Sequence, residues 1–152
     1  MWKSIINRLF KRGMDQDGVV PSARDVNAAA DDNRRVYEEE HARVREEALQ
    51  LPLPDAVFTI VHYNSHRRCM GPGPHCDPID LAVLAATNWS GEVELWATRA
   101  NKLRQEAYAV GDALLRRDSN YEETRAAFES ANPGFGQETY GAAISYGCFL
   151  AR

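Results

Sequence analysis

Apolar residues recur every three or four positions through most of the chain. Between residues 92 and 115 they are Val93, Trp96, Ala97, Ala100, Leu103, Ala107, Val110 and Leu114. Because an α-helix completes a turn in about 3.6 residues, this spacing places the apolar side chains on one face. Further helices are predicted from about residue 121 and from about residue 137. The pattern predicts an all-α, or mainly α, fold: a single compact domain formed by a bundle of about six helices.

Polar and turn-forming residues mark the predicted helix ends. Residues 119–122 (SNYE) form a capping box, in which Ser119 caps a helix that then ends at residues 132–134 (NPG). Residues 77–80 (DPID) place an aspartate and a proline where the start of a helix favours them. The run from residue 79 to 89 (IDLAVLAATNW) is apolar on nearly every side. We therefore predict that it forms the central and most buried helix.

A long, charged helix is predicted from Ser22 to Leu51, where the prolines of LPLPD stop it. Its apolar stripe is thin and consists of Val26, Ala30, Tyr37, Val44, Ala48 and Leu51, with His41 in the same register. Its other faces pair opposite charges four residues apart, as in Arg34–Glu38, Arg35–Glu39, Glu39–Arg43 and Arg43–Glu47. Each such pair contributes roughly a few tenths of a kcal/mol. The exposed face that carries Arg35, Glu39 and Arg43 is a candidate surface for binding a partner protein.

Residues 56–63 (AVFTIVHY) are compatible with either a helix or a strand. Their β-branched and aromatic side chains suit a strand, whereas the length of the apolar run suits a buried helix that begins after Asp55. The best candidate for a partner strand, EVELWAT (92–98), fits a helix better. We therefore favour a helix here, followed by a loop rich in glycine and proline at 70–76.

The first twelve residues (MWKSIINRLFKR) predict an amphipathic helix. Trp2, Ile6 and Phe10 share an apolar stripe, and basic residues occupy the other side. Three roles stay open: a helix docked on the core of its own domain, a helix that binds an anionic membrane surface or a groove of a partner, and an organellar presequence. Residues 13–21 are a predicted linker, so the helical domain spans residues 22–152.

Composition limits the classes of protein to which the chain can belong. With 152 residues, 44% hydrophobic and 26% charged, it is large and apolar enough for a packed core. A net charge of −4 argues against nucleic acid as the main partner. Three cysteines are too few for a secreted disulfide scaffold and favour a reducing, cytoplasmic location. No apolar run is long enough to span a membrane, and the usage of alanine and arginine suggests a bacterial or phage protein.

Residues 107–133 resemble the helix-turn-helix unit of tetratricopeptide repeats. The positions that fall near the residue types favoured by that family are Gly111, Tyr121, Phe128, Ala131 and Pro133. The register differs by one or two residues, and Thr124 stands where a small alanine is expected. No second copy follows at a period of about 34 residues. Because one such unit cannot form a solenoid, we interpret the segment as an antiparallel helix pair.

Histidine and cysteine concentrate in one stretch, HYNSHRRCMGPGPHC (62–76). If its first part is helical, three of these side chains share a face and the loop returns two more to the same corner. Imidazole nitrogen and thiolate sulfur are ligands that Zn²⁺ prefers. The candidate zinc ligands are His62, His66, Cys69, His75 and Cys76. Their spacing corresponds to no zinc family that we know, and a purely structural role for these side chains is the favoured alternative.

Cys76 also lies just before the helix predicted to start at Asp77. The positive end of that helix would stabilise a thiolate, although the aspartates that follow disfavour it. With His62, His66 or His75 as the base, Cys76 would form a catalytic Cys/His pair.

No P-loop, dinucleotide-binding glycine turn, serine elbow or zincin motif occurs in the sequence. An enzymatic function therefore stays open but is disfavoured, and no cofactor other than zinc is indicated. We expect a small cytoplasmic helical protein that binds another protein, as an accessory, regulatory, adaptor or immunity-type module. The alternatives are a metal- or thiol-dependent enzyme or zinc-binding protein built on 62–76, and a peripheral membrane protein attached through 1–12. Gly141, Ala143 and Gly147 of the last helix are small enough to let another backbone approach closely. Homodimerisation through these residues is compatible with all of these functions.

Overall fold

The structure, a computed structural model, describes residues 23–69, 77–118 and 120–152, with side chains from residue 34 onward and not at 67–69. These residues form six helices and no strand. The helices are α1 (Ala23–Gln50), α2 (Leu53–Cys69), α3 (Ala82–Ala85), α4 (Ser90–Leu115), α5 (Tyr121–Ala131) and α6 (Gln137–Leu150). The all-α prediction is confirmed for this part of the chain. The predicted N-terminal helix (1–12), linker (13–21) and loop (70–76) lie outside the described residues.

The chain divides into two compact units, Met1–Arg35 and Val36–Arg152. In the first unit, the described residues form the start of α1. In the second, the rest of α1 and the helices that follow surround an apolar core. Its fully buried side chains include Val57 and Ile60 of α2 and Leu103 of α4.

The central helix of the second unit is α4, which packs against both α2 and α6. The buried members of its predicted stripe are Val93, Ala100, Leu103 and Ala107. The prediction that residues 79–89 form the central, most buried helix is wrong. That stretch contains α3, a single turn in which Leu84 is the buried residue, and the helix start predicted at 77–80 is not used.

Side-chain hydrogen bonds explain why α3 is short. Asn64 of α2 accepts the backbone N–H of Ile79 at 2.8 Å and donates to its carbonyl oxygen at 2.9 Å, which holds Ile79 outside the helix. Beyond the turn, the side chain of Asn88 donates to the carbonyl oxygen of Leu84 at 2.9 Å. Polar side chains that bond to the backbone in this way compete with helical hydrogen bonds. The apolar run therefore contributes two buried side chains, Ile79 and Leu84, to the core.

Residues 56–63 are helical, as we favoured, but α2 begins at Leu53 rather than after Asp55. Pro54 fits the first turn because the N–H groups there have no acceptor within the helix. The side chain of Asp55 bonds across the fold instead. Its Oδ1 accepts the backbone N–H of Gly136 and the hydroxyl of Thr139, each at 2.7 Å. This contact joins the start of α2 to the start of α6.

The antiparallel helix pair predicted for residues 107–133 is formed by α4 and α5. Asn120 caps α5 in place of Ser119, because its Oδ1 accepts a backbone N–H of the first turn at 2.8 Å. At the other end of α5, the side chain of Asn132 donates to Glu106 of α4 at 2.7 Å. The predicted end of this helix at residues 132–134 is confirmed.

The backbones of α4 and α6 meet at Gly147. A Cβ atom on Gly147 would lie 1.9 Å from the carbonyl oxygen of Ala107, and one on Gly111 would lie 2.2 Å from the carbonyl carbon of Gly147. Gly111 of α4 and Gly147 of α6 have no side chain, which allows the two backbones to come this close. The small residues of the last helix thus allow another backbone to approach closely, as predicted, and that backbone belongs to α4 of the same chain.

Within the second unit, α1 buries a narrow stripe. Val44 and Ala48 are buried, whereas most charged side chains from 36 to 50 are exposed. Of the predicted i,i+4 pairs, Arg43 and Glu47 form an ion pair with an N–O distance of 3.3 Å. A pair this exposed contributes well under about 1 kcal/mol. α1 thus presents solvated charged faces, as its sequence predicts.

Candidate functional site

The structure brings two of the five predicted metal ligands together. His62 and His66 lie one turn apart on the same face of α2, and both rings contact Tyr146 of α6. Outside the described residues lie His75, Cys76 and the side chain of Cys69. Among the residues that are described, no group of three His, Cys, Asp or Glu could hold a metal ion. The zinc site and the Cys/His pair stay predictions.

His62 lies in an aromatic environment. Its ring stacks on Phe58 with centroids 5.5 Å apart, and it meets the ring of Tyr146 edge to face at 4.7 Å. Its Nδ1 atom is buried without a hydrogen-bond partner among the described residues. Burial, with smaller contributions from Arg104 and His66, lowers the pKa of His62 from 6.5 to about 4. The imidazole is therefore neutral at pH 7.

Arg104 of α4 completes this cluster. Its Nη1 donates to the hydroxyl of Ser65 at 2.7 Å, and its guanidinium carbon lies 5.5 Å from the centre of the Tyr146 ring. Burial and the charge of Arg104 also lower the pKa of His66. The same positive charge would repel a metal ion bound at these imidazoles. The described part of the cluster therefore fits the packing of neutral histidines against aromatic rings better than it fits metal binding.

We predict that His62 lowers the stability of the folded protein in mild acid. Between about pH 6.5 and pH 4 the unfolded chain binds a proton at this residue, whereas the folded protein does not. The contribution of neutral His62 to the free energy of unfolding is therefore complete above about pH 6.5, and it is lost as the pH falls from 6.5 to 4. His62→Phe keeps an aromatic ring beside Phe58 and removes the titration. Its free energy of unfolding relative to wild type should rise by about 2–3 kcal/mol from pH 7 to pH 4, measured by urea titration.

His66→Phe is the matched control, since it changes the same face of α2 at a position where burial is less complete. Its stability relative to wild type should change less over the same pH range. Parallel pH curves for wild type and His62→Phe would contradict the environment assigned to His62.

A shallow groove of about 530 Å³ lies between α4, α5 and α6, and no sequence pattern indicated it. Leu114, Ile144 and the free thiol of Cys148 form its apolar floor, and Arg117 and Arg152 lie on its rim. These residues come from three separate segments of the chain. No periodicity or motif could therefore have indicated that they lie together.

Arg117 adopts a backbone conformation that favours glycine. Its φ angle is 61°, in the left-handed region. It ends α4 with a Schellman motif: the N–H of Arg117 bonds to the carbonyl of Leu114 at 3.2 Å, and that of Asp118 bonds to the carbonyl of Ala113 at 3.1 Å. An arginine at this position costs about 1 kcal/mol relative to glycine. A residue held in this region at the rim of a groove is a reason to look for function there.

The residues predicted to bind a partner lie in separate parts of the chain. Glu39 and Arg43 are exposed on α1 within the second unit, and Arg35 is exposed within the first. Outside the described residues lie Trp2, Ile6 and Phe10.

Comparisons with protein-family models, with curated proteins and with solved structures gave no match. Among the described residues, no helix has the length and apolar character needed to cross a membrane.

Proposed function

We propose that the protein acts by binding another protein, as an accessory, regulatory, adaptor or immunity-type module in a reducing, cytoplasmic compartment. The observation that carries the proposal is an apolar surface at the start of α4, which we call the Trp89 patch and which consists of Trp89, Gly91 and Leu95. Trp89 is 76% exposed and Leu95 is 57% exposed. Large apolar side chains left in solvent at neighbouring positions are typical of binding surfaces.

The geometry of the Trp89 patch suits an anchor residue. A Cβ atom on Gly91 would lie 2.7 Å from the indole ring of Trp89, so the ring lies directly against the backbone of the helix. Leu95 follows Gly91 by one turn and continues the same face. Tryptophan is enriched among residues that dominate binding energy at protein interfaces. Burying such a side chain contributes about 2–3 kcal/mol, which supports a role in binding.

The exposed part of α1 is a second surface that supports the proposal. Val36 and Leu49 are apolar but exposed, and the residues around them are mostly charged. Charged residues around apolar contacts guide association and help to reject wrong partners. Of the residues that the sequence singled out on α1, Glu39 and Arg43 belong to this surface within the second unit.

Capture of the partner by the tagged full-length chain, from extracts of cells that make it natively, tests the proposal. Wild type should retain one defined protein in near-equal amount. Trp89→Ala combined with Leu95→Ser should reduce the retained amount by at least about tenfold, because both side chains would be buried in the complex. Tyr108→Ser alters another exposed residue of α4 and is the matched control, which should retain the partner as wild type does.

Two further variants test the other predicted contact elements. Glu39→Lys with Arg43→Glu reverses charges on α1, and Trp2→Glu with Phe10→Glu removes the apolar stripe of the first twelve residues. Retention by wild type no greater than by the tag alone would overturn the proposal. So would equal retention by wild type and by all three double variants.

A further inference from the structure

The rim of the groove between α4, α5 and α6 carries two unpaired cations. Among the described residues, the side chains of Arg117 and Arg152 have no ion-pair partner. The neighbouring Arg116, by contrast, pairs with Asp112 at 3.0 Å. No acidic side chain lines the groove. In a chain of net charge −4, two cationic side chains thus line this groove and no acidic side chain does.

The floor of the groove is apolar and lies beside these cations. Ile144 is buried beneath it, Leu114 is partly buried, and Tyr121 is exposed along one side. A volume of about 530 Å³ accommodates a short peptide segment rather than an isolated ion. A ligand that fills the groove must therefore present both an apolar side chain and a negative charge.

We propose that this groove binds an acidic segment of the partner protein. A carboxylate of that segment contacts the guanidinium groups of Arg117 and Arg152, and an adjacent apolar side chain lies on Leu114 and Ile144. Guanidinium groups match carboxylates in both charge and hydrogen-bond geometry. The inference rests on the proposed function and adds to it the location of a contact and the chemistry of the partner.

The backbone conformation of Arg117 is consistent with this role. Glycine would occupy the left-handed position without strain, but it would remove the guanidinium group from the rim. A nucleic acid fits the groove less well, because a phosphate backbone is bound by a longer row of cations and does not require an apolar floor.

Cys148 supplies a reporter on the floor of the groove. The probe is a capped peptide of alternating leucine and glutamate, and its control is the same peptide with glutamine in place of glutamate. Mass spectrometry follows the alkylation of each cysteine of the full chain by iodoacetamide. A saturating amount of the acidic peptide should slow alkylation of Cys148 by at least about fivefold, because only the empty groove exposes the thiol. Alkylation of Cys69 and Cys76 is the internal reference and should not change.

Arg117→Gly with Arg152→Ala should abolish this protection. Arg117→Gly should also raise the melting temperature, so that loss of protection cannot be attributed to unfolding. Arg116→Ala is the matched control and should keep the protection.

Equal protection by the acidic and the glutamine peptide, or equal protection of wild type and the double variant, would overturn the inference. Protection by single-stranded DNA as strong as by the acidic peptide, or protection that grows with protein concentration alone, would also overturn it in favour of other occupants.

Capture of the partner by the same variants separates the two proposals. Reduced capture by Arg117→Gly with Arg152→Ala supports the groove as a contact. If that variant captures the partner normally while the Trp89 variant does not, the proposed function stands and the groove inference fails. If wild type captures no partner, both fail.

Discussion

Replacing Gly147 with alanine is expected to destabilise the protein by at least about 3 kcal/mol. The added Cβ atom would lie 1.9 Å from the carbonyl oxygen of Ala107 and 2.5 Å from its carbonyl carbon. Both are backbone atoms, so a rotamer change cannot relieve the clash, and α4 and α6 would have to separate along the most extensive helix contact of the described residues. Overpacking of a core costs about 1–3 kcal/mol even where side chains can move. A loss above this range is a large part of the stability of a small domain.

Gly141→Ala is the matched control on the same helix. Among the described residues, no atom beyond the neighbouring backbone of α6 lies within 4 Å of a Cβ placed at Gly141, so this change should stabilise the protein by about 0.5–1 kcal/mol through helix propensity. Urea titration monitored by circular dichroism at 222 nm measures both variants. If Gly147→Ala proved as stable as Gly141→Ala, the close crossing of α4 and α6 would be refuted.

Local patterns predicted most of the helices, because periodicity and capping act within a few residues of the chain. The stripe from Val93 to Leu114 was sufficient to predict α4, and the small residues around Gly147 predicted that some backbone approaches there. Which backbone approaches depends on contacts between residues far apart in sequence. The pattern was therefore equally compatible with a second copy of the chain, and homodimerisation stays an untested prediction.

Predictions failed where a side chain from another helix determines whether the backbone of a segment is helical. The apolar run from residue 79 to 89 has the composition of a buried helix, but the side chain of Asn64 bonds to the backbone of Ile79, which lies outside the helix, and a single turn, α3, forms. The groove at Arg117 was not predicted for a related reason, since the residues that line it come from three segments of the chain. Of the predicted metal ligands, the structure places His62 and His66 together because helical periodicity alone determines their spacing.

Asp55→Ala is expected to destabilise the protein by about 2–3 kcal/mol. One oxygen of this carboxylate accepts both the N–H of Gly136 and the hydroxyl of Thr139, each at 2.7 Å, and it supplies the N-terminal cap that α6 lacks from its own residues. Loss of a helix cap costs about 1 kcal/mol, and leaving a partly buried hydroxyl without its acceptor adds to this loss. Urea titration measures the change in the free energy of unfolding. Amide hydrogen exchange should be faster through the first turn of α6.

The two controls for Asp55→Ala distinguish the long-range cap from a local one. Asp80→Ala removes an exposed contact in which Asp80 accepts the N–H of Ala82 at 2.9 Å within its own turn, and it should cost no more than about 0.5 kcal/mol. Asp55→Asn keeps an acceptor oxygen but loses the charge, so its effect should lie between those of the two alanine variants. If Asp55→Ala were as mild as Asp80→Ala, α6 would not depend on α2 for its cap. In that case the contact that joins the starts of α2 and α6 would contribute little to the fold.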